Sequence, residues 1–141
     1  MRRIIVLLGV LPILLLAFVP AALAARPSTG FTGSWEGIDP GDGSNLYVVI
    51  AGASTTQMLL IDDDATSACA DTSSSVFVSL HVGKVDESEM HTELTVAKCG
   101  SVPRPFFRGL EIDWWLNDGG NADPSDDVLY NSFGEEYTRI S

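Results

Sequence analysis

Beyond residue 30 the sequence contains no segment with the apolar spacing of an amphipathic helix. Short runs rich in Val, Ile, Leu, Thr and aromatic residues alternate instead with clusters of Gly, Asp, Pro and Ser, which is typical of an all-β chain. Because most connections are short, neighbours in sequence should be neighbours in space. The pattern therefore predicts an up-and-down antiparallel meander that closes into a barrel and so removes its exposed edges. We predict eight strands, at residues 31–38, 45–51, 56–61, 75–82, 89–98, 105–116, 128–132 and 135–140.

The N-terminus has the features of a secretory signal peptide. Arg2 and Arg3 precede an apolar run over residues 4–19, and Ala22-Leu23-Ala24 offers the small residues that a signal peptidase recognises. The run is short for a membrane span, and the alternative is an uncleaved anchor. We therefore predict a secreted, exported protein that leaves the membrane after cleavage. Its parts are a signal peptide at 1–24, a leader at 25–30 and a single β-barrel domain at 31–141.

The charge balance excludes two classes of partner. The chain has 19 Asp+Glu against 8 Lys+Arg, a net charge of −11 that becomes −13 once Arg2 and Arg3 are removed. This acidity excludes a nucleic-acid binder that neutralises phosphates and disfavours docking on anionic lipid. Mutual repulsion between copies favours a monomer. The remaining cysteines, Cys69 and Cys99, predict a disulfide in an exported chain, the alternative being two separate buried thiols.

The fourth and fifth predicted strands allow a prediction of their register. Alternation places Val78 and Val82 on one face of the fourth strand and Met90 and Leu94 on one face of the fifth. Pairing these apolar faces puts Val82 opposite Met90 and Val78 opposite Leu94, with the turn at residues 85–87.

The same register sets the two histidines, His81 and His91, opposite each other on the outer face of this hairpin. Two imidazoles can bind a transition metal, with Glu89 or Glu93 nearby, but a stable site needs further ligands that the sequence does not place. The alternative is a pair of solvated surface imidazoles. We predict no cofactor.

Motifs at the two ends of the domain carry a resemblance. Gly33-Ser34-Trp35 lies in the first strand and Tyr137-Thr138-Arg139 in the last, which resembles the signature of the calycins, the barrels that include lipocalins and avidins. In that group the Trp packs across one end of the barrel beneath the Arg, so the resemblance implies that Trp35 and Arg139 are structural. The lipocalin Thr-Asp-Tyr motif and a biotin-binding set are absent. The chain also resembles small exported bacterial proteins with a Gly-x-Trp start, and neither likeness implies a ligand.

Candidate binding residues lie inside the barrel and at one outward aromatic side chain. In Trp114-Trp115 one ring should point inward and the other outward, with Phe107 on the parity of Trp115. An outward Trp115 would stack on a sugar or a protein partner, or be covered by a loop. We take Trp115, Phe107 and Trp114 as ligand-binding candidates. The predicted inward residues either fill the core or line a small apolar pocket, and they are Trp35, Leu46, Val48, Ile50, Val78, Leu80, Leu94, Val96, Phe106, Leu110, Ile112 and Trp114.

The remaining chemistry is sparse. The acidic loops lack the EF-hand spacing and are best explained as solvated turns, the alternative being Ca²⁺ sites. Nucleophile-elbow, zinc-protease and nucleotide-loop motifs are absent, so we predict no catalytic residue and favour a protein that is not an enzyme. We expect a secreted, non-catalytic binding protein for a small apolar ligand or an extracellular partner. The alternatives are an acidic interaction or inhibitor module acting through its loops, and a hydrolase with paired carboxylates.

Overall fold

The computed structural model describes residues 30–121 and 123–141, and these residues form an all-β fold. The predicted signal peptide and leader residues 25–29 lie outside the described residues. Two short 3₁₀ helices, Pro105–Phe107 and Pro124–Asp126, interrupt the strands. The strands are β1 (Gly33–Ile38), β2 (Asn45–Gly52), β3 (Thr55–Asp62), β4 (Phe77–Asp86), β5 (Glu89–Cys99), β6 (Val102–Pro103), β7 (Glu111–Asn117), β8 (Val128–Asn131) and β9 (Glu136–Arg139).

Eight of these strands close into an antiparallel barrel. Hydrogen-bonded neighbours follow the order β1, β2, β3, β4, β5, β7, β8, β9, and β9 pairs with β1 to complete the ring. The two-residue β6 pairs with β5 outside the ring. The predicted eight-stranded up-and-down barrel is therefore confirmed.

Alternation of side chains along each strand builds the core. In β2, Leu46, Val48 and Ile50 are buried, whereas Tyr47 and Val49 between them face solvent. The tight connection to β3 depends on Gly52, whose φ of 115° disfavours other residues. A Cβ there would lie 2.3 Å from the Thr55 carbonyl oxygen. The glycine thus permits a two-residue link between strands.

Trp35 and Arg139 form the closed end of the barrel. The Arg139 guanidinium carbon lies 4.1 Å from the centre of the Trp35 ring, so the stacking implied by the calycin resemblance is confirmed. The same guanidinium donates to the Thr32 carbonyl over 2.7 Å and to the Asp127 carboxylate over 2.8 Å. Phe31 is buried beneath this layer, and its carbonyl accepts a hydrogen bond from the Trp35 indole. Both chain ends of the domain are joined here.

The predicted pairing of the fourth and fifth strands is wrong. Val85, not Val82, lies opposite Met90, and the register shifts between Leu80 and His81. Leu80 faces Val96 and His81 faces Leu94, which leaves Thr95 as an extra residue in β5. One added residue exchanges the two faces of a strand, and local alternation does not reveal it.

The inward face of β4 is consequently the opposite of the predicted one. Phe77, Ser79, His81 and Gly83 are buried, whereas Leu80 is 45 % exposed. The predicted inward residues Val78, Leu80 and Val96 therefore lie on the outer face of the barrel; Val78 is half-buried, and the other two are exposed.

The predicted strand over residues 105–116 is also shorter than expected. Pro105 begins a 3₁₀ turn, and β7 starts only at Glu111. A proline has no amide hydrogen to donate to a sheet, which favours the turn. Phe106 and Leu110, predicted to point inward, are exposed. Phe107 lies in the turn and does not share a strand with Trp115.

A disulfide stands at the opposite end from Trp35. Cys69 and Cys99 are bonded with their Cα atoms 5.6 Å apart, which confirms the predicted bridge. The bridge ties the connection between β3 and β4 to the end of β5. We call this the open end of the barrel, formed by the connections 39–44, 63–76, 100–110 and 132–135.

Candidate functional site

A cavity of about 260 Å³ occupies the half of the barrel interior next to the open end. Its walls are largely apolar and include Leu46, Leu60, Phe77, Leu94, Phe107 and Ile112. The half next to the closed end is filled by large buried side chains, among them Trp35, Trp114, Tyr137, Met58 and Met90. The interior is therefore filled at one end and hollow at the other.

His81 is the polar group that distinguishes the wall of this cavity. It is 2 % exposed, because β4 presents alternate residues to the interior and His81 falls on that parity. Its Nε2 atom lies 2.9 Å from the Ser79 hydroxyl. Its Nδ1 atom has no hydrogen-bond partner within residues 30–121 and 123–141. A buried polar atom without a partner costs free energy, so His81, a residue of the cavity wall, retains an unmet hydrogen-bonding capacity at Nδ1, an atom that is itself closed off from solvent.

Burial also sets the charge of this imidazole. Desolvation lowers the pKa of His81 from 6.5 to about 4, so the ring is neutral at pH 7. A neutral imidazole has one donor and one acceptor nitrogen, and the tautomer decides which of them is Nδ1. A ligand group that both donates and accepts, such as a hydroxyl, satisfies either arrangement.

The close approach of Ser79 and His81 does not form a catalytic triad. In such a triad a carboxylate holds the second imidazole nitrogen and stabilises its charged form. Here Nδ1 has no such partner in the described part of the chain, and the low pKa of His81 makes it a weak base at neutral pH. The pair is better suited to bind a polar group than to activate the hydroxyl.

Carboxylates lie along the rim of the cavity. Asp62, at the end of β3, is 7 % exposed, and its pKa is raised by burial and by the nearby Asp42 and Asp39. Asp39 and Asp62 both line the cavity. Negative charge at the rim repels anions, so the cavity favours neutral or cationic molecules.

The turn between β8 and β9 forms a rigid side of the rim. The Asn131 side-chain oxygen accepts hydrogen bonds from the amides of Phe133 and Glu135, at 3.0 and 3.1 Å. Its nitrogen donates to the Glu135 carboxylate, which also accepts from the Tyr137 hydroxyl. Burial and the Glu135 charge raise the pKa of Tyr137, so its hydroxyl stays protonated as a donor. Asn131 and Glu135 line the cavity in a fixed orientation.

The other side of the rim is held by the disulfide loop. Arg104 donates to the Ala68 carbonyl and pairs with Asp71, next to Cys69 in this loop. Phe107 packs edge-on against Phe77 with ring centres 5.4 Å apart. These contacts place an aromatic wall across part of the opening.

The three predicted ligand-binding residues are not brought together. Phe107 lines the cavity. Trp114 is fully buried in the filled half, where its indole donates to the Thr92 hydroxyl over 3.0 Å. Trp115 is 40 % exposed on the outer surface, and its indole lies 3.3 Å from the Glu89 carboxylate. The pair therefore divides between core and surface, as predicted, on opposite faces of β7.

The two histidines lie on opposite faces of the sheet, because the observed register pairs His81 with Leu94 and His91 with Lys84. His91 is on the outer surface, 2.6 Å from the Asp113 carboxylate, and this hydrogen bond raises the pKa of His91. No group of three or more His, Cys, Asp or Glu side chains arranged to hold a metal ion occurs in the described ranges.

Sequence reasoning missed Ser79, His81, Asn131 and Glu135 as cavity residues. The sequence did contain a signal for Ser79 and His81. They lie on the second alternating face of β4, together with Phe77 and Gly83. The aliphatic residues between them gave the stronger apolar pattern, although they face solvent.

Comparisons of this chain with protein-family models, curated proteins and solved structures found no match. Over the residues that the structure covers, there is no helix long and apolar enough to cross a membrane.

Proposed function

We propose that this protein is a secreted, non-catalytic carrier or sensor that binds a small, neutral, mainly apolar molecule in the open half of its barrel. The observation that carries the proposal is the largely apolar cavity whose wall includes the buried His81, with an Nδ1 atom that has no hydrogen-bond partner among the described residues. The apolar walls favour a hydrophobic body, and the imidazole favours one hydroxyl or carbonyl group on it. The closed barrel and the Trp35–Arg139 stack are consistent with kinship to the calycins.

The cavity volume limits the size of the ligand. A cavity of about 150 Å³ is known to bind benzene, so a volume of 260 Å³ suits a molecule of roughly ten non-hydrogen atoms. The carboxylates at the rim disfavour anions such as fatty acids. The expected class is therefore small phenols, alcohols or ketones rather than long-chain lipids.

Export is part of the same proposal. The Cys69–Cys99 bond supports an oxidising compartment, where disulfides persist. The N-terminal pattern of Arg2, Arg3 and an apolar run supports the same location.

The proposal is tested by titrating the protein with phenol and with toluene, which have similar shapes but differ by one hydroxyl group. We expect both to bind and phenol to bind about 2–10-fold more tightly, the equivalent of one net hydrogen bond. Calorimetry gives the affinities, and amide NMR shifts locate the site. Failure of both probes to bind would overturn the proposed function.

Three variants identify the site. His81→Leu should bring the phenol-to-toluene ratio close to one. Leu110→Trp, at the cavity rim, should weaken both probes by obstructing the opening. Ile140→Trp is the matched control, because Ile140 is similarly exposed but lies next to the closed end. Equal effects of the two tryptophan substitutions would contradict binding in this cavity.

A further inference from the structure

The outer face of β2 to β5 carries a row of aliphatic side chains directed at solvent. Val49, Leu59, Leu80 and Val96 are consecutive partners across these four strands. Tyr47 and Val82 extend the row on neighbouring pairs, and together the six residues form what we call the apolar stripe. Five of the six, all except the partly buried Leu59, are between 40 % and 46 % exposed.

The stripe is large enough to serve as a contact surface. Side chains with these exposures present on the order of 400–500 Å² of apolar surface, which is within the range of the largest patch of a typical monomer, and such patches often have a function. Two further valines, the half-buried Val78 in β4 and the exposed Val76 just before this strand, flank the stripe. A standard protein interface needs about 800 Å² from each partner, so the stripe and its polar rim together approach that area.

The distribution of charge indicates which partner fits. The chain as a whole carries 19 acidic residues, yet the outward side chains of residues 45–51, 55–61 and 78–84 include no acid. The other outward acids of the barrel wall include Glu89, Glu111, Asp113 and Glu136 on β5, β7 and β9, whereas Glu36 and Glu93 lie at the edges of the stripe, opposite Tyr47 and Val82. Two copies of an acidic protein therefore repel one another least through this face.

The rim of the stripe carries charges of both signs. Lys98 lies opposite Val78, Lys84 lies opposite Thr55, and Glu93 lies opposite Val82. In a two-fold arrangement the same patch meets itself, so a lysine of one copy can approach the glutamate of the other. A self-complementary rim around an apolar centre is the usual anatomy of a homodimer interface.

We propose that the apolar stripe is the surface through which two copies of this chain pair face to face. Packing of two sheet faces covers the aliphatic side chains and keeps both acidic surfaces in water. The prediction of a monomer considered only the net charge of the chain. Because the charged side chains are unevenly distributed, net charge alone does not exclude pairing through this face. The open end of each barrel, with its cavity, lies at the end of the strands and stays accessible in the pair.

The test is sedimentation of the exported protein over a range from about 1 to 200 µM, its N-terminal residue being identified by mass spectrometry. We expect a concentration-dependent dimer that Leu80→Asp weakens at least tenfold. The milder Leu80→Thr, which introduces a β-branched residue that strands favour, should weaken it in the same direction. Ile140→Asp, at a comparably exposed aliphatic position off the stripe, is the control and should dimerise normally.

Salt provides a second readout. Because the two copies share a net charge of the same sign, added NaCl should screen their repulsion and strengthen the dimer about two- to tenfold. Dimerisation that weakens with salt would mean that ionic contacts, and not the apolar stripe, hold the two copies together, and it would overturn the proposal. A protein that stays monomeric up to about 200 µM would also overturn the proposal, and this holds even if the reason is that residues 1–29 cover the stripe. Phenol binding does not depend on this result.

Discussion

Acidification from pH 7 to pH 4 should destabilise the barrel through the buried imidazole of His81, and His81→Leu should remove that part of the pH dependence. Burial lowers the pKa of His81 to about 4 in the folded protein, whereas an exposed histidine in the unfolded chain has a pKa near 6.5. Between these two values the unfolded chain binds a proton that the folded barrel does not. The free energy of unfolding therefore falls as the pH falls.

The magnitude follows from the separation of the two pKa values. Each unit of separation between the two pKa values is worth about 1.4 kcal/mol. The free energy of unfolding should therefore fall by about 3 kcal/mol through His81 alone when the pH is lowered from above 6.5 to 4. A loss of this size is a large part of the total stability of a small domain, which is roughly 5–15 kcal/mol. At pH 7 the stability of His81→Leu should lie within about 1 kcal/mol of the wild type, because two effects oppose each other. Leucine removes a buried nitrogen that has no partner, which stabilises the variant, whereas the Ser79 hydroxyl loses its hydrogen-bond partner, which destabilises it.

The measurement is urea denaturation at a series of pH values for three proteins. The difference between the wild type and His81→Leu isolates the imidazole, because carboxylate titration is common to both. His91→Gln is the matched control. The pKa of the exposed His91 is raised by Asp113, so any contribution from this pair is present at low pH and is lost as the pH rises, opposite in sign to His81. Parallel stability curves for the wild type and His81→Leu between pH 7 and pH 4 would refute the reasoning.

Three further changes probe the frame that holds the cavity. Arg139→Met should lower the free energy of unfolding by about 3 kcal/mol, because the Asp127 carboxylate would stay buried without its cation; a loss under about 1 kcal/mol in urea denaturation would contradict this. The double variant Cys69→Ser/Cys99→Ser should lose about 3–4 kcal/mol by freeing a loop of 30 residues in the unfolded chain, and an unchanged melting temperature would argue against it. Gly83→Ala should cost about 1–3 kcal/mol, since its Cβ would lie 2.6 Å from a threonine hydroxyl. Calorimetry checks the Gly83→Ala value, and an unchanged free energy of unfolding would mean that the neighbouring side chains shift to accommodate the added methyl group.

Features encoded by local pattern could be predicted from the sequence. The strands of the ring, the barrel, the disulfide and the Trp35–Arg139 stack all depend on turn residues, alternation or a short motif. β4 was harder, because it has two alternating faces and the more apolar one faces solvent. The extra residue at Thr95 is stabilised by pairing with a neighbouring strand, which no local pattern reports.

The cavity could not be predicted for a different reason. A void is defined by what distant side chains leave unfilled, and its lining comes from six strands and four connections. Phe107 was named for sharing the strand parity of Trp115, but it lies in a turn, so that reasoning did not place it in the cavity. His81 was assigned to the outer surface through an error of register, and with the correct face it would have been the obvious interior polar residue.

Closure of the ring has a consequence for how this protein can misassemble. Every strand of the barrel has a hydrogen-bonded neighbour on both sides, and among the described residues the short segment Val102–Pro103 is a strand with a free flank. A two-residue flank that contains proline is a poor template for a further strand. Cross-β fibres grow by adding backbone to backbone, so this chain must first break open its ring before it can enter one.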